Sequence, residues 1–454
     1  MKIRLMHPKA VQSLVLVACC SVALGAGVSP SASEPATALQ NSEMAKDATA
    51  EEIRAINVRE RFGLTSTLDH VRAVSARPSD QSMLGIPLDA VEVVEMDRRS
   101  ALESALSEVA LVLQDADFFG GIWLDQRAGG VLNIAVTEGG LEAADRELAS
   151  RGLLDTSVVR QVAFSKAQLD AWSMDALKIL LEQGKNYMHS VSTDTPSNKV
   201  RVDLAEDTPR EIIDEIKGLM PSEALAMTVG GPGWVEQGIR DKPWGRAYGG
   251  LWMTRNENAD CTVGFSKMRD TNPNSDLVYT LTAGHCGQGQ WWQGLDTAGA
   301  YLGVTQATTW YPDATGYCDC QIVGALQSER RTSKVLVSNN ALYDYTRTAS
   351  VGSADYFVGK AVCMSGAKSS EWQSGQISCG TITDASINAT TNSNYTLLDG
   401  FKTDIFDSRG GDSGAPYGSG GTFMGIHSSA RGANATLVSK SPYFVQLGAK
   451  PEYS

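Results

Sequence analysis

Cysteine is nearly missing from the first 260 residues of this 454-residue chain: Cys19 and Cys20 lie near the N-terminus, and the other 6 of the 8 begin at Cys261. Histidine is scarce as well, 5 in all, and only His285 and His427 fall beyond Cys261. No second cysteine pair or histidine cluster accompanies the C-x-C of Cys318 and Cys320, so that metal reading is weak and no metal cofactor is implied. Basic runs are absent and the formal net charge is -13, which excludes a nucleic-acid surface, since phosphate binding needs clustered Lys and Arg. Apart from Val11 to Leu24, no apolar run approaches the length of a membrane-spanning helix.

The length implies two or three domains. Charge divides unevenly between the parts: from Ala247 onward 14 Lys+Arg stand against 17 Asp+Glu, a net of -3, which leaves -10 for residues 1–246. At the N-terminus, Lys2, Arg4 and Lys9 precede the apolar run, and Leu24-Gly25-Ala26 offers small residues for cleavage. Residues 1–26 therefore read as a secretory signal. Leu16-Val17-Ala18-Cys19 also resembles a lipoprotein box, which would instead tether the product through Cys19.

Six cysteines in an exported domain suggest disulfides. Cys261 with Cys286 and Cys363 with Cys379 each bracket a strand-turn-strand segment, which makes them the expected pairs. Cys318 and Cys320 would both face away from Asp319 on an extended strand. Their Cα atoms would then lie about 6.6 Å apart, at the edge of disulfide reach, and their state stays open.

After a Ser/Ala/Glu/Pro-rich stretch from Ser29 to Ala50, helical and strand patterns alternate up to residue 205. Leu102, Leu106, Val109 and Leu113 share a helical face. Ser165 and Gln168 form a capping-box signature ahead of Leu169, Trp172, Ala176 and Ile179. Each helix precedes a hairpin pattern, at 120–136 and at 190–204, which gives a loose twofold repeat and an α+β region. Residues 206–246, with Gly230-Gly231-Pro232-Gly233 and Pro243-Trp244-Gly245, read as a linker. From Gly249 short β-branched runs recur between Gly, Asn, Asp and Ser, the pattern of an all-β barrel or sandwich.

Chemistry concentrates in that second part. "DSRGGDSGAP" (407–416) sets Ser413 on a bare glycine turn, where Gly410 and Gly411 permit backbone conformations and close approach that side chains would block. The N–H groups of Gly411 and Ser413 could then point at one substrate oxygen. A serine hydroxyl is a poor nucleophile until a base takes its proton, and that base needs a carboxylate to fix its tautomer. His285 in "LTAGHCG" and Asp319 in "YCDCQIVGAL" are the candidates.

"TAGHC" (282–286) and "GDSGAP" (411–416), in that order, resemble the histidine and serine motifs of chymotrypsin-like serine proteases. The bacterial branch fits best. "GGLWMTRNENADCTVGF" is similar to the mature start of α-lytic protease and the streptogrisins, "AVCMSG" with "CGTIT" to a disulfide-closed loop, and "FFGGIWLDQRAGGVLNIAV" to their folding-assisting pro-regions. The resemblance implies two six-stranded antiparallel β-barrels forming an all-β catalytic domain at 247–454, preceded by an α+β pro-region at 27–246 that is cut off. It implies a secreted endopeptidase, monomeric when mature, that acts on protein or peptide substrates and partners its own pro-region. Ser413 would be the nucleophile, His285 the base and acid, Asp319 the orienter, and Gly411 with Ser413 the oxyanion hole. Asp407, Ser408, His427, Ser428 and Ser429 would line the substrate cleft, and Cys261–Cys286 and Cys363–Cys379 would match family disulfides.

Departures from the family pattern are informative. Ala415 replaces a glycine, Gln321 stands where alanine is usual, and Met364 stands where an arginine would pair with Asp412, leaving the partner of Asp412 open. Asp407 suits a basic substrate residue whereas His427 suits an acidic one, unless the two pair with each other. The rivals are an inactive binding protein on the same fold and an esterase with the same triad; an α/β-hydrolase would carry its histidine last in the chain, whereas His285 precedes Ser413.

Overall fold

The computed structural model describes residues 48–454 except 77–83, 85, 184–186, 188, 231–234, 237–246, 256–257, 295–300, 325–330, 339–340, 351–353, 370–376, 407, 432–434 and 454. The signal sequence, Cys19, most of the 231–246 stretch and Asp407 thus lie outside the described residues.

Helix Ala90–Leu113 is capped by Asp89, whose side chain accepts from the N–H groups of Val91 and Glu92. It buries Leu102, Leu106, Val109 and Leu113 against the antiparallel hairpin of Phe119–Asp125 and Val131–Val136. Each such side chain withdrawn fully from water contributes about 1.5–3 kcal/mol. Helix Leu141–Ser150 follows, and strand Ser157–Gln161 joins the hairpin in parallel.

The order then repeats. Ser165 and Gln168 exchange reciprocal hydrogen bonds at the start of helix Lys166–Gln183. Hairpin His189–Asp194 with Lys199–Leu204 follows, turning at Asn198 in the left-handed region (φ 54°). Helix Arg210–Gly218 and the parallel strand Leu225–Val229 complete the second copy. Residues 206–230 are therefore not linker. Ile212, Ile216 and Ala224 are buried in the second core, so this stretch supplies the closing helix and strand of the repeat.

The remaining chain is strand-rich. One sheet of eight strands contains Asn258–Thr262, Phe265–Asp270, Val278–Thr282 and Gln321–Gly324, and ends on the C-terminal strand Ala449–Pro451. A twelve-stranded sheet contains Ala361–Met364, Ser378–Thr390, Thr396–Thr403, Pro416–Ser419, Thr422–Ala430 and Thr436–Lys440. It continues without a break into the second repeat, because Ser190, Val191 and Ser192 pair antiparallel with Ala389, Asn388 and Ile387. The seam is polar as well: Ser192 donates to buried Asp384 at 3.0 Å, and Arg431 reaches Asp203 at 2.6 Å. No helix among the described residues is long and apolar enough to cross a membrane.

Candidate active site

Strand Val278–Thr282 pairs antiparallel with Gln321–Gly324, Thr282 opposite Gln321. The turn just after the first strand, Gly284–Cys286, therefore stands beside the residues just before the second, and His285 meets Asp319. Gln321, the departure from alanine, spans this junction: its amide donates to the Ala283 carbonyl at 2.9 Å and accepts from the Thr305 hydroxyl at 3.2 Å.

Ser413 arrives from the other sheet. The Thr262 N–H donates to the Ser413 carbonyl at 2.7 Å, and the Gly414 N–H donates to the His427 carbonyl at 2.8 Å. Gly414 has a φ of 87°, and a Cβ there would collide with Thr282 and the Thr262 carbonyl, so only glycine closes this turn.

The three side chains form one hydrogen-bonded line. His285 Nδ1 lies 2.6 Å from Asp319 Oδ2, and His285 Nε2 lies 2.7 Å from Ser413 Oγ. Asp319 is fully buried. Burial works to raise its pKa, but the His285 charge and ring hydrogen bond, the Ser428 hydroxyl (2.6 Å) and the His285 N–H (2.9 Å) outweigh it and hold the carboxyl below its ordinary range. An ionised Asp319 only accepts, so Nδ1 carries the proton and Nε2 is left to accept from the Ser413 hydroxyl.

Met364 stands where the family has an arginine, and Asp412 is held from the main chain. Its buried carboxylate accepts from the backbone N–H groups of Lys368 (2.8 Å), Ser369 (3.1 Å) and Arg409 (2.9 Å). The Ser369 hydroxyl donates to the same carboxylate at 3.4 Å, beside these main-chain donors.

Of the other expected cleft residues, Asp407 lies outside the described residues. Ser428 touches Asp319, while Ser408 and Ser429 are buried. Beside Ser428, Ser429 and Ala430 pair with Glu236 and Val235, a two-residue strand from the first part of the chain. His427 is fully buried, its ring stacked on Tyr417 at 6.3 Å, with Nδ1 3.4 Å from the Tyr417 hydroxyl. Burial, aided by the charge of His285, pushes its pKa down to about 3.

A neutral ring in the fold with an ordinary value of about 6.5 when unfolded favours the native state above that value. That contribution is lost as pH falls from 6.5 toward 3. His189, buried between the Tyr187 carbonyl and Thr390 and pushed down to about 4, acts in the same direction. In urea titrations of the full chain between pH 6 and 5, His427→Gln should therefore show a smaller loss of unfolding free energy than the parent. The difference should approach about 1.4 kcal/mol per pH unit.

Cys261 is bonded to Cys286, beside His285, and Cys363 to Cys379. Cys318 is bonded to Cys320 across Asp319, which resolves the open question on that pair and removes the thiols a metal would need. Among the described residues, the one cluster with metal-like spacing is His70, Asp89 and Glu92. There Glu92 already holds the Arg59 guanidinium and Asp89 caps a helix, so the cluster is accounted for without an ion.

No family model matches the chain, and no curated protein matches it. Among solved structures, protease A of Thermobifida fusca is 22% identical with a TM-score of 0.36, covering 46% of this chain and 100% of its own. A Nocardiopsis protease is likewise 22% identical with a TM-score of 0.36, over 45% of this chain and 98% of its own. A Cellulomonas bogoriensis chymotrypsin is 20% identical with a TM-score of 0.36, over 46% and 100%.

Proposed function

We propose that the chain is a serine endopeptidase made as a secreted zymogen, with residues 1–26 as signal, 27–246 as pro-region and 247–454 as the catalytic domain. The line Ser413–His285–Asp319 carries the reading, since 2.7 Å and 2.6 Å are the contacts that a general-base-activated serine needs. Ser413 Oγ attacks a peptide carbonyl while His285 Nε2 takes its proton. The oxyanion falls to the N–H groups of Gly411 and Ser413, where Gly411 adopts a φ of 125°. His285 then protonates the leaving amine, and a water activated by the same ring hydrolyses the acyl-enzyme.

Substrate would lie as an extended strand along Ser428–Ala430, with Asp407, Ser408 and His427 shaping the cleft. The pairing of Val235–Glu236 with that edge supports both parts of the proposal, because a stretch of the pro-region takes the position a substrate strand would.

The test is a fluorophosphonate probe on the secreted wild type. Attack by Ser413 Oγ on phosphorus expels fluoride, so one stable adduct should form on the peptide containing Ser413, together with cleavage of a denatured protein substrate. An adduct with ester but no peptide turnover would favour the esterase. Absence of both would favour an inactive binding protein.

A further inference from the structure

Asp319 lies inside the small ring closed by Cys318 and Cys320, whereas His285 lies in the wide loop closed by Cys261 and Cys286. Cys318 and Cys320 are both fully buried, in the same core as Leu281, Ile322, Phe423 and Phe444, and their bond closes over the backbone of the residue between them. The ring contains both peptide groups of Asp319. Its φ and ψ are therefore restricted by covalent structure as well as by packing.

The surroundings hold the same three residues. The Cys318 carbonyl accepts from the Tyr395 hydroxyl at 2.7 Å, and the Thr309 hydroxyl lies against both cysteine carbonyls. The Thr309 N–H also donates to the Cys320 carbonyl, at 3.0 Å. Between them, the Asp319 N–H donates to Ser439 Oγ at 3.0 Å. The carboxylate of the residue so held receives His285 and Ser428.

We infer that the Cys318–Cys320 disulfide, with Thr309, is a positioning device for the Asp319 carboxylate. This rests on the proposed hydrolase function. The physical need is plain: a misplacement of about 1 Å in a catalytic constellation can cost about a hundredfold in rate. A carboxylate entering an apolar strand has no other side chain of its own segment to steady it. A bond that only consolidated the core would act independently of Asp319, whereas a positioning bond acts through it.

That difference is measurable as a double-mutant cycle on the full chain. The variants are Cys318→Ala/Cys320→Ala, Asp319→Asn and their combination, assayed for kcat and KM on one peptide substrate, with fluorophosphonate labelling of the wild type alongside. Removing the bond should lower kcat about 10- to 100-fold, with KM within about threefold, as expected for a loss of orientation. In the Asp319→Asn background the same removal should cost less than about threefold. Equal losses in both backgrounds, or a disulfide-free chain within twofold of wild type, would overturn the inference while leaving the hydrolase intact. A wild type that neither labels nor turns over would remove the function, and the positioning role with it.

Should the disulfide-free chain not be exported, Thr309→Val decides. It keeps the bond and the side-chain shape but deletes the hydroxyl on both carbonyls. It should lower kcat several-fold in the parent and hardly at all beside Asp319→Asn; an unchanged kcat would overturn the inference. Alkylation of the unreduced, denatured wild type should leave the peptide containing Cys318 and Cys320 unlabelled, and two labelled thiols there would equally refute it.

Discussion

Replacement of Ser413 by alanine should lower kcat by about a millionfold and leave the exported chain uncut. The size follows from deleting the proposed nucleophile: systems of this kind lose on the order of 10⁶ when the serine is removed, and what remains comes from binding and the oxyanion hole. The fold should survive, because Ser413 is fully buried and alanine fits the space it leaves. Its main-chain bond to Thr262 and the bond from Gly414 to His427 do not involve the side chain. Intact mass of the secreted product is the discriminating readout. A wild-type fragment that has lost its first part, beside a Ser413→Ala chain that retains it, would establish self-processing. Identical processing of both would mean that another protease matures the chain or that Ser413 is idle.

Asp319→Asn should be the second largest effect, about 10⁴-fold in kcat with little change in KM. Asp319 Oδ2 accepts from both His285 Nδ1 and Ser428 Oγ, and Oδ1 accepts from the His285 N–H. An amide that turns its NH2 toward the ring donates to Nδ1 and moves the imidazole proton to Nε2. That nitrogen then faces Ser413 with a proton of its own and no longer accepts. The pH dependence has a definite sign. Because the Asp319 carboxyl is held below its ordinary range, it stays ionised throughout the range in which His285 works. Protonation of Asp319 should therefore not limit wild-type activity until the pH falls below the ordinary carboxylate range. The same depression stabilises the fold above that range and is lost as pH falls through the native value. A kcat/KM profile and an acid unfolding curve, both set against Asp319→Asn, check the two statements.

Much of the architecture was legible locally. The capping box at Ser165 and Gln168, the apolar face Leu102, Leu106, Val109 and Leu113, and the short strands after Gly249 all rest on contacts within a few residues, which periodicity and turn chemistry report directly. Residues 206–230 were misread because their glycine- and proline-rich sequel outweighed a short amphipathic helix, Arg210–Gly218, whose apolar face matters only against the preceding repeat.

The sequence by itself determined which residue types could do chemistry here: two histidines beyond Cys261, one serine on a glycine turn, one acid entering an apolar strand. It also determined the order in which they occur. Only the tertiary structure decided who meets whom. Asp412 is held by main-chain N–H groups from 368 and 369, donors that every residue but proline carries and that no side-chain pattern announces. Ser439, on a distant strand, receives the Asp319 N–H. His427 became a buried, neutral ring through the walls around it. The seam at Ser190–Ser192 and the strand on Ser429 depend on pairing between segments far apart in the chain, and register between distant strands is set by the whole packed surface rather than by either segment alone.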